Sequence, residues 1–274
     1  MKERPPFPAR LDFSVGKPTA RAPVSGPQFG APLQSVKPVS VSPMLPKVPV
    51  KVPVQGLGMD SSAVRMNMVR KLAGQGITDP QVLSAMGTIE RHRFVDSALV
   101  NQAYEDTSLP IGLGQTISKP GVVSRMAELL RNGATGKLGR VLEIGTGCGY
   151  QAAVLSLLAS EVYSIERLRG LHDKARDNLR HLHLANLHLL FGDGMVGYAK
   201  GAPYAAIIAA CGGEAVPQAW LDQLAMGGRL VAPIAAGASS AGQQALVVID
   251  RTPQGLRQTV LEAVHFVPLK SGVA

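Results

Sequence analysis

A chain of 274 residues with 46% hydrophobic content can bury a sizeable core, as one domain with appendages. The formal charge of +9 does not by itself make a nucleic-acid surface, because residues 1–60 hold eight Lys or Arg against Glu3, Asp12 and Asp60, leaving only +4 for the other 214 residues. With 6 Phe, 5 Tyr and 1 Trp there are few platforms for base stacking, so no nucleic-acid partner is expected.

Up to about Gly58 the chain carries 12 of its 20 prolines and ends in Pro46-Lys47-Val48-Pro49-Val50-Lys51-Val52-Pro53-Val54. Proline removes backbone donors and forces its predecessor toward extended conformations. Residues 1–58 therefore read as a basic, disordered or polyproline-II arm, either a tether or a docking segment for an unknown partner. Met1–Arg10 lacks the apolar stretch of a secretory signal, and no apolar run approaches the roughly 18 residues that cross a bilayer. A cytoplasmic protein without membrane partners is expected.

A folded domain, residues 59–274, follows. Ser61 and Ser62 can cap a helix through Val64, Met68, Val69 and Leu72 that ends near Gly74 and Gly76. A second helix runs from Asp79-Pro80 to about Glu90, with Val82, Leu83 and Met86 on one face; Met66, Met68 and Met86 read as core. Leu109 to Pro120 is an unusual stretch of glycines and hydroxyls that leads into a third helix carrying Val122, Val123, Met126, Leu129 and Leu130. Ser118 is there either a plain helix cap or part of a rim that orients a ligand. Three helical segments thus precede the first strand.

After Gly139 short apolar runs alternate with amphipathic helices. Strands are expected at 140–144, 161–165, 187–191, 204–210, 229–234, 245–250 and 258–266, with helices at 150–158, 168–182 and 217–224. That order indicates an α/β fold with a doubly wound, mostly parallel seven-stranded sheet. No helix separates the last two strands, and Thr252-Pro253-Gln254-Gly255 is a turn, so an antiparallel hairpin should close one edge.

The first strand runs into Glu143-Ile144-Gly145-Thr146-Gly147-Cys148-Gly149-Tyr150. Glycines at the carboxyl end of a leading strand let the backbone turn sharply and approach a ligand. A dinucleotide fingerprint would need glycine where Tyr150 stands, and the acid Glu143 suits the cationic S-adenosylmethionine better than a diphosphate. Glu166 ends the second strand, 21 residues after Gly145, placed to accept from ribose hydroxyls or to be a solvated strand-end acid. Asp193 in Gly192-Asp193-Gly194 is turn chemistry or a group for the adenine amine. Cys148 and Cys211 have no Cys-x-x-Cys spacing, which argues against disulfides or structural zinc, and Cys148 reads as a loop-filling residue. His181, His183 and His188 have no convincing metal spacing.

Tyr104-Glu105-Asp106, Leu109-Pro110-Ile111-Gly112, Gly114-Gln115-Thr116-Ile117-Ser118 and Val141-Leu142-Glu143-Ile144-Gly145-Thr146-Gly147 together resemble the bacterial protein-L-isoaspartate O-methyltransferases. The likeness continues through Gly192-Asp193-Gly194, Gly227-Gly228-Arg229-Leu230 and Phe266-Val267-Pro268-Leu269, covering about residues 61–274. The glycine loop is common to many methyltransferases; the Gln-Thr-Ile-Ser stretch is distinctive of this family. The resemblance implies a class I S-adenosylmethionine methyltransferase fold with N-terminal helices. It implies that Ser118 is the active-site residue, that Thr116 and Ile117 frame the acceptor, and that Glu143, Gly145, Gly147, Glu166, Gly192 and Asp193 line the cofactor. Gln244 matches a glutamine near the cofactor's methionine end, and no metal is involved.

The implied reaction moves a methyl group from S-adenosylmethionine to the free α-carboxylate of L-isoaspartyl residues in damaged proteins and peptides, by a monomer acting in protein repair. A carboxylate with pKa near 4 is already ionised at neutral pH, so alignment and water exclusion can replace a general base. Two departures stand out: Ala205 where the family usually has an acid, and Cys211-Gly212-Gly213 in place of a small apolar run. Rival readings are a methyltransferase acting on a small molecule or RNA, and a non-catalytic S-adenosylmethionine-binding protein that recruits partners through its arm.

Overall fold

A computed structural model describes residues 62–236 and 243–274, so the proline-rich segment 1–58 lies outside the described residues. Helix α1 (Ser62–Gly74) and helix α2 (Pro80–Thr88) pack together ahead of the sheet, with Met68, Val69 and Leu72 buried together with Val82, Ala85 and Met86. The methionine reading holds for Met68 and Met86 but not for Met66, which is 48% exposed. Asp79 caps α2 by accepting from the Gln81 and Val82 N–H groups, and its other oxygen accepts from buried Arg131 at 2.7 Å.

Sequence patterning missed an antiparallel hairpin of β1 (Leu109–Gly112) and β2 (Gln115–Ile117), which stands between α2 and helix α3 (Pro120–Arg131). Its strands hold four and three residues, too short for periodicity to register. The two turn residues, Leu113 (φ 51°) and Gly114 (φ 69°), both adopt the left-handed region that a two-residue hairpin turn requires. Leu109, Ile111 and Ile117 are buried, so the hairpin is pinned to the core by one face.

The main sheet contains β3 (Leu138–Ile144), β4 (Ala159–Glu166), β5 (Leu187–Phe191), β6 (Tyr204–Ala209), β7 (Leu224–Ala235), β8 (Gln244–Thr252) and β9 (Gly255–Val264) in the order β5-β4-β3-β6-β7-β8-β9. Strands β3 to β7 pair in parallel and β8 and β9 antiparallel, as the sequence order of elements indicates. Helices α4 (Tyr150–Leu158), α5 (Arg169–Leu179) and α6 (Gln218–Gln223) connect the parallel strands. Alternation along the strands serves two layers: Val141, Ala206 and Ile208 pack with Met126, Leu130 and Leu155, whereas Leu142, Ile207 and Ala209 pack with Trp220 of α6. Strand β7 starts at Leu224, five residues ahead of the expected position, and α6 is correspondingly shorter.

The chain winds from β3 to β4 and β5 on one side, then returns to β6 and β7 on the other. The crevice at the carboxyl ends of β3 and β6 is the switch point at which such sheets bind ligands.

Candidate functional site

A cavity of about 490 Å³ opens at this switch point, lined among others by Gly145, Thr146, Gly147, Gln151, Glu166 and Cys211. Gly145 (φ 91°) and Gly147 (φ 57°) carry the backbone through conformations that disfavour side chains, which brings bare peptide to the cavity wall. Glu166, 5% exposed, accepts from the Gly147 N–H with one oxygen and from the Leu168 N–H with the other, each at 2.9 Å. This carboxylate ties the glycine loop to the start of α5 and leaves lone pairs directed at the cavity that it lines.

Glu143 is deeper than its place at the loop entrance suggests. It is fully buried beneath the loop, where Ser164 Oγ donates to Glu143 Oε2 at 2.5 Å and Thr146 Oγ1 lies 2.6 Å from Ser164 Oγ. Burial pushes its carboxyl up to about 8, against the opposing effect of Ser164 and Gln151. Glu143 Oε1 and both amide atoms of Gln151 are buried without a partner among the described residues.

The remaining residues assigned to a cofactor fall into two groups. Asp193 accepts from the Met195 N–H at 2.8 Å and from the Gly272 N–H at 2.6 Å, so its neighbour Gly194, rather than Asp193 or Gly192, lines the cavity. Gln244 lies outside the lining and is engaged with Phe266: its Oε1 accepts from the Phe266 N–H at 2.8 Å and its amide donates to the Phe266 carbonyl at 3.2 Å. A Cβ at Gly212 would meet the end of the Gln244 side chain, which would have to give up its present place against Phe266.

Thr116, Ile117 and Ser118 all line this cavity. Thr116 and Ser118 also line a second cavity, of about 690 Å³, bounded by Lys119, Arg125, Glu262 and His265, so the two cavities meet at these hydroxyls. The cap position of α3 falls on Lys119, and Ser118 has no hydrogen-bond partner among the described residues. That removes the plain-cap alternative.

Sequence reasoning gave no role to the C-terminal stretch beyond its place in a resemblance. Leu269 donates to the Gly212 carbonyl at the end of β6, while Ala274 donates to the Arg167 carbonyl at the end of β4. Val267, Pro268, Leu269 and Lys270 thereby wall the first cavity. The apolar, proline-containing run Phe266-Val267-Pro268-Leu269 just beyond the last strand was the available signal.

Both cysteines are free and buried, and burial pushes the Cys148 thiol up to about 11 and that of Cys211 up to about 12, so neither is a thiolate nucleophile. His188 Nε2 pairs with Glu161 at 3.1 Å. Ala205 belongs to the amino end of β6, whereas the cavity lies at the carboxyl end, roughly 16 Å away at about 3.3 Å per strand residue. Ala205 and Cys211 therefore have no direct coupling. The Ala205→Asp variant should keep cofactor affinity and turnover within about twofold, measured side by side with the natural protein; restoration of an otherwise absent activity would show the opposite.

Comparison with known proteins places these features in a family. The family model for Protein-L-isoaspartate(D-aspartate) O-methyltransferase (PCMT) matches residues 63–274. The Protein-L-isoaspartate O-methyltransferase of Methylibium petroleiphilum is 54% identical over 261 residues, 90% of this chain and 96% of that protein. That of Leptothrix cholodnii is 60% identical over 221 residues, 80% of this chain and 77% of that one. A solved protein-L-isoaspartate O-methyltransferase superposes with TM-score 0.68 at 28% identity, covering 77% of this chain and 67% of the other. A Plasmodium falciparum structure, of a putative protein-L-isoaspartate O-methyltransferase in complex with S-adenosyl-L-homocysteine, shares the fold with TM-score 0.63 at 22% identity, covering 75% and 98%.

Proposed function

The chain belongs to the protein-L-isoaspartate(D-aspartate) O-methyltransferase family, and from that premise we propose how its two joined cavities divide the reaction. The protein methylates L-isoaspartyl residues of damaged proteins and peptides with S-adenosylmethionine as donor. One observation carries the assignment of parts: Thr116 and Ser118 line both the glycine-loop cavity and the cavity beside it. Cofactor and acceptor occupy the two sides of that junction.

The residues present fit the cofactor. The Gln151 amide atoms, on a residue that lines the glycine-loop cavity, and Glu143 Oε1, buried beneath the loop, have no partner among the described residues, an expensive arrangement unless a polar ligand or water completes it. S-adenosylmethionine supplies an electrophilic methyl group on a sulfonium. Gly145 and Gly147 would admit it to the backbone and Glu166 would accept from its ribose, while Asp193 shapes the turn beside Gly194 and holds the C-terminal stretch. Gln244 acts indirectly, by fixing Phe266 and the wall that follows.

Ser118 donates its free hydroxyl to one oxygen of the acceptor α-carboxylate, leaving the other oxygen as nucleophile, while Thr116 and Ile117 frame the group. The new bond joins that oxygen to the methyl carbon as the carbon–sulfur bond breaks, and no proton has to move. The walls supplied by Val267 to Lys270 exclude water, which strengthens the electrostatic attraction between acceptor and donor. Methylation of an isoaspartyl peptide, set against the matching aspartyl peptide, tests this reading; equal labelling of both, or of neither, would sink it.

Residues 59–274 constitute the methyltransferase domain, and the basic arm is accessory. Removing residues 1–58 should therefore leave melting temperature and peptide methylation nearly unchanged, and loss of folded protein on truncation would refute that division. Two free thiols fit a reducing, cytoplasmic setting. Among the described residues no helix is long and apolar enough to cross a membrane.

A further inference from the structure

Thr146, Ser164 and Glu143 form a buried hydrogen-bond chain under the glycine loop, and its order can be read from the donors. With Glu143 ionised and able only to accept, Ser164 gives its one hydroxyl proton to Glu143 Oε2, and Thr146 then donates to Ser164. The chain is directed toward the carboxyl from one side. On the other side Glu143 Oε1 has no partner and Gln151 lies beside it without closing a hydrogen bond. The groups facing Glu143 are Ser164 and Glu166 from β4, Gln151 from α4, and Cys211 from the end of β6, with Thr146 reaching it through Ser164. No cation is among them. Thr146 and Gln151 also line the glycine-loop cavity, so the chain runs from the cavity wall to the buried acid.

We propose that Thr146 and Ser164 are positioning residues that act through Glu143, and that a cationic cofactor entering the crevice drives one proton off the Glu143 carboxyl. This rests on the S-adenosylmethionine reading above. Without a cation, a fully buried carboxylate next to Glu166 has only the Ser164 hydroxyl to offset lost hydration, so the acid holds its proton; burial pushes it up to about 8. A positive charge in the crevice favours the ionised form. The O–H bond of the carboxyl breaks, the electron pair stays on oxygen, and the proton passes to solvent. The Ser164 hydroxyl, itself oriented by Thr146, then holds the anion in one orientation. Because binding releases a proton, affinity rises with pH below about 8 and levels off above it, by about tenfold per pH unit at most.

The test is calorimetric titration of the full-length protein with S-adenosylmethionine at pH 7, in buffers of different ionisation enthalpy. The natural protein should release close to one proton more than Glu143→Gln, a difference in which the ligand's own ammonium cancels. That difference should vanish above pH 9. Ser164→Ala should move the midpoint of the pH–affinity profile upward, since the anion loses a donor, and Ser164→Thr should restore it. If Ser164→Ala misfolds, Thr146→Val should produce a smaller upward shift. Equal proton release from the natural protein and Glu143→Gln, or an unmoved midpoint in the hydroxyl variants, overturns the proposal. Absence of any binding heat or competition would instead count against the cofactor reading.

Discussion

Ser118→Ala is expected to reduce turnover of an isoaspartyl peptide by about 10²-fold, with cofactor affinity and melting temperature nearly unchanged. The magnitude is that of deleting one preorganised donor at a reacting oxygen. The separation from stability follows from the structure: the cap position of α3 is Lys119, and the Ser118 hydroxyl has no partner among the described residues, so its removal breaks no hydrogen bond of the fold. Parallel peptide kinetics and thermal melts check this. Unchanged turnover with a loss of about 1 kcal/mol would make Ser118 a cap after all.

Glu166→Ala should weaken S-adenosylmethionine binding by about 1.5–3 kcal/mol, or roughly 10- to 150-fold, the range for a hydrogen bond to a charged group. Two losses combine, because the carboxylate anchors the Gly147 and Leu168 N–H groups as well as presenting lone pairs to the cavity. Glu166→Gln retains one acceptor and should fall between. Titration of the variants measures it directly, and a change of less than about threefold would show that Glu166 is only a loop anchor whose work others can do.

Several parts of this arrangement were legible in the sequence because their cause is local. Asp79-Pro80 marks a helix start by its own side-chain chemistry, and the glycines of 145 and 147 announce a backbone turn that few other residues make. The β1–β2 hairpin was not legible, since its short strands are held by Leu109, Ile111 and Ile117 packing against distant elements. Glu143 shows the same limit: its identity pointed to a cation, but burial by loop, helix and neighbouring strand decided that it sits under the cavity. Gln244 and Asp193 were drawn away by Phe266 and Gly272, partners 22 and 79 residues along the chain. The acid missing at position 205 looked troubling in the sequence and is remote in space.

The glycine-loop cavity draws its walls from seven separated places along the chain: residues 111–118, Val123, 144–151, 165–171, Gly194, 210–211 and 267–270. Partial opening of the domain would therefore dismantle the pocket, and a molecule that occupies it acts as a clasp on all of these places at once. By mass action, free ligand at about a hundred times its dissociation constant stabilises the native state by about 2.7 kcal/mol. The supply of methyl donor would then set the lifetime of this repair protein as well as its rate. An enzyme that restores ageing proteins would resist its own unfolding best while it is charged for work.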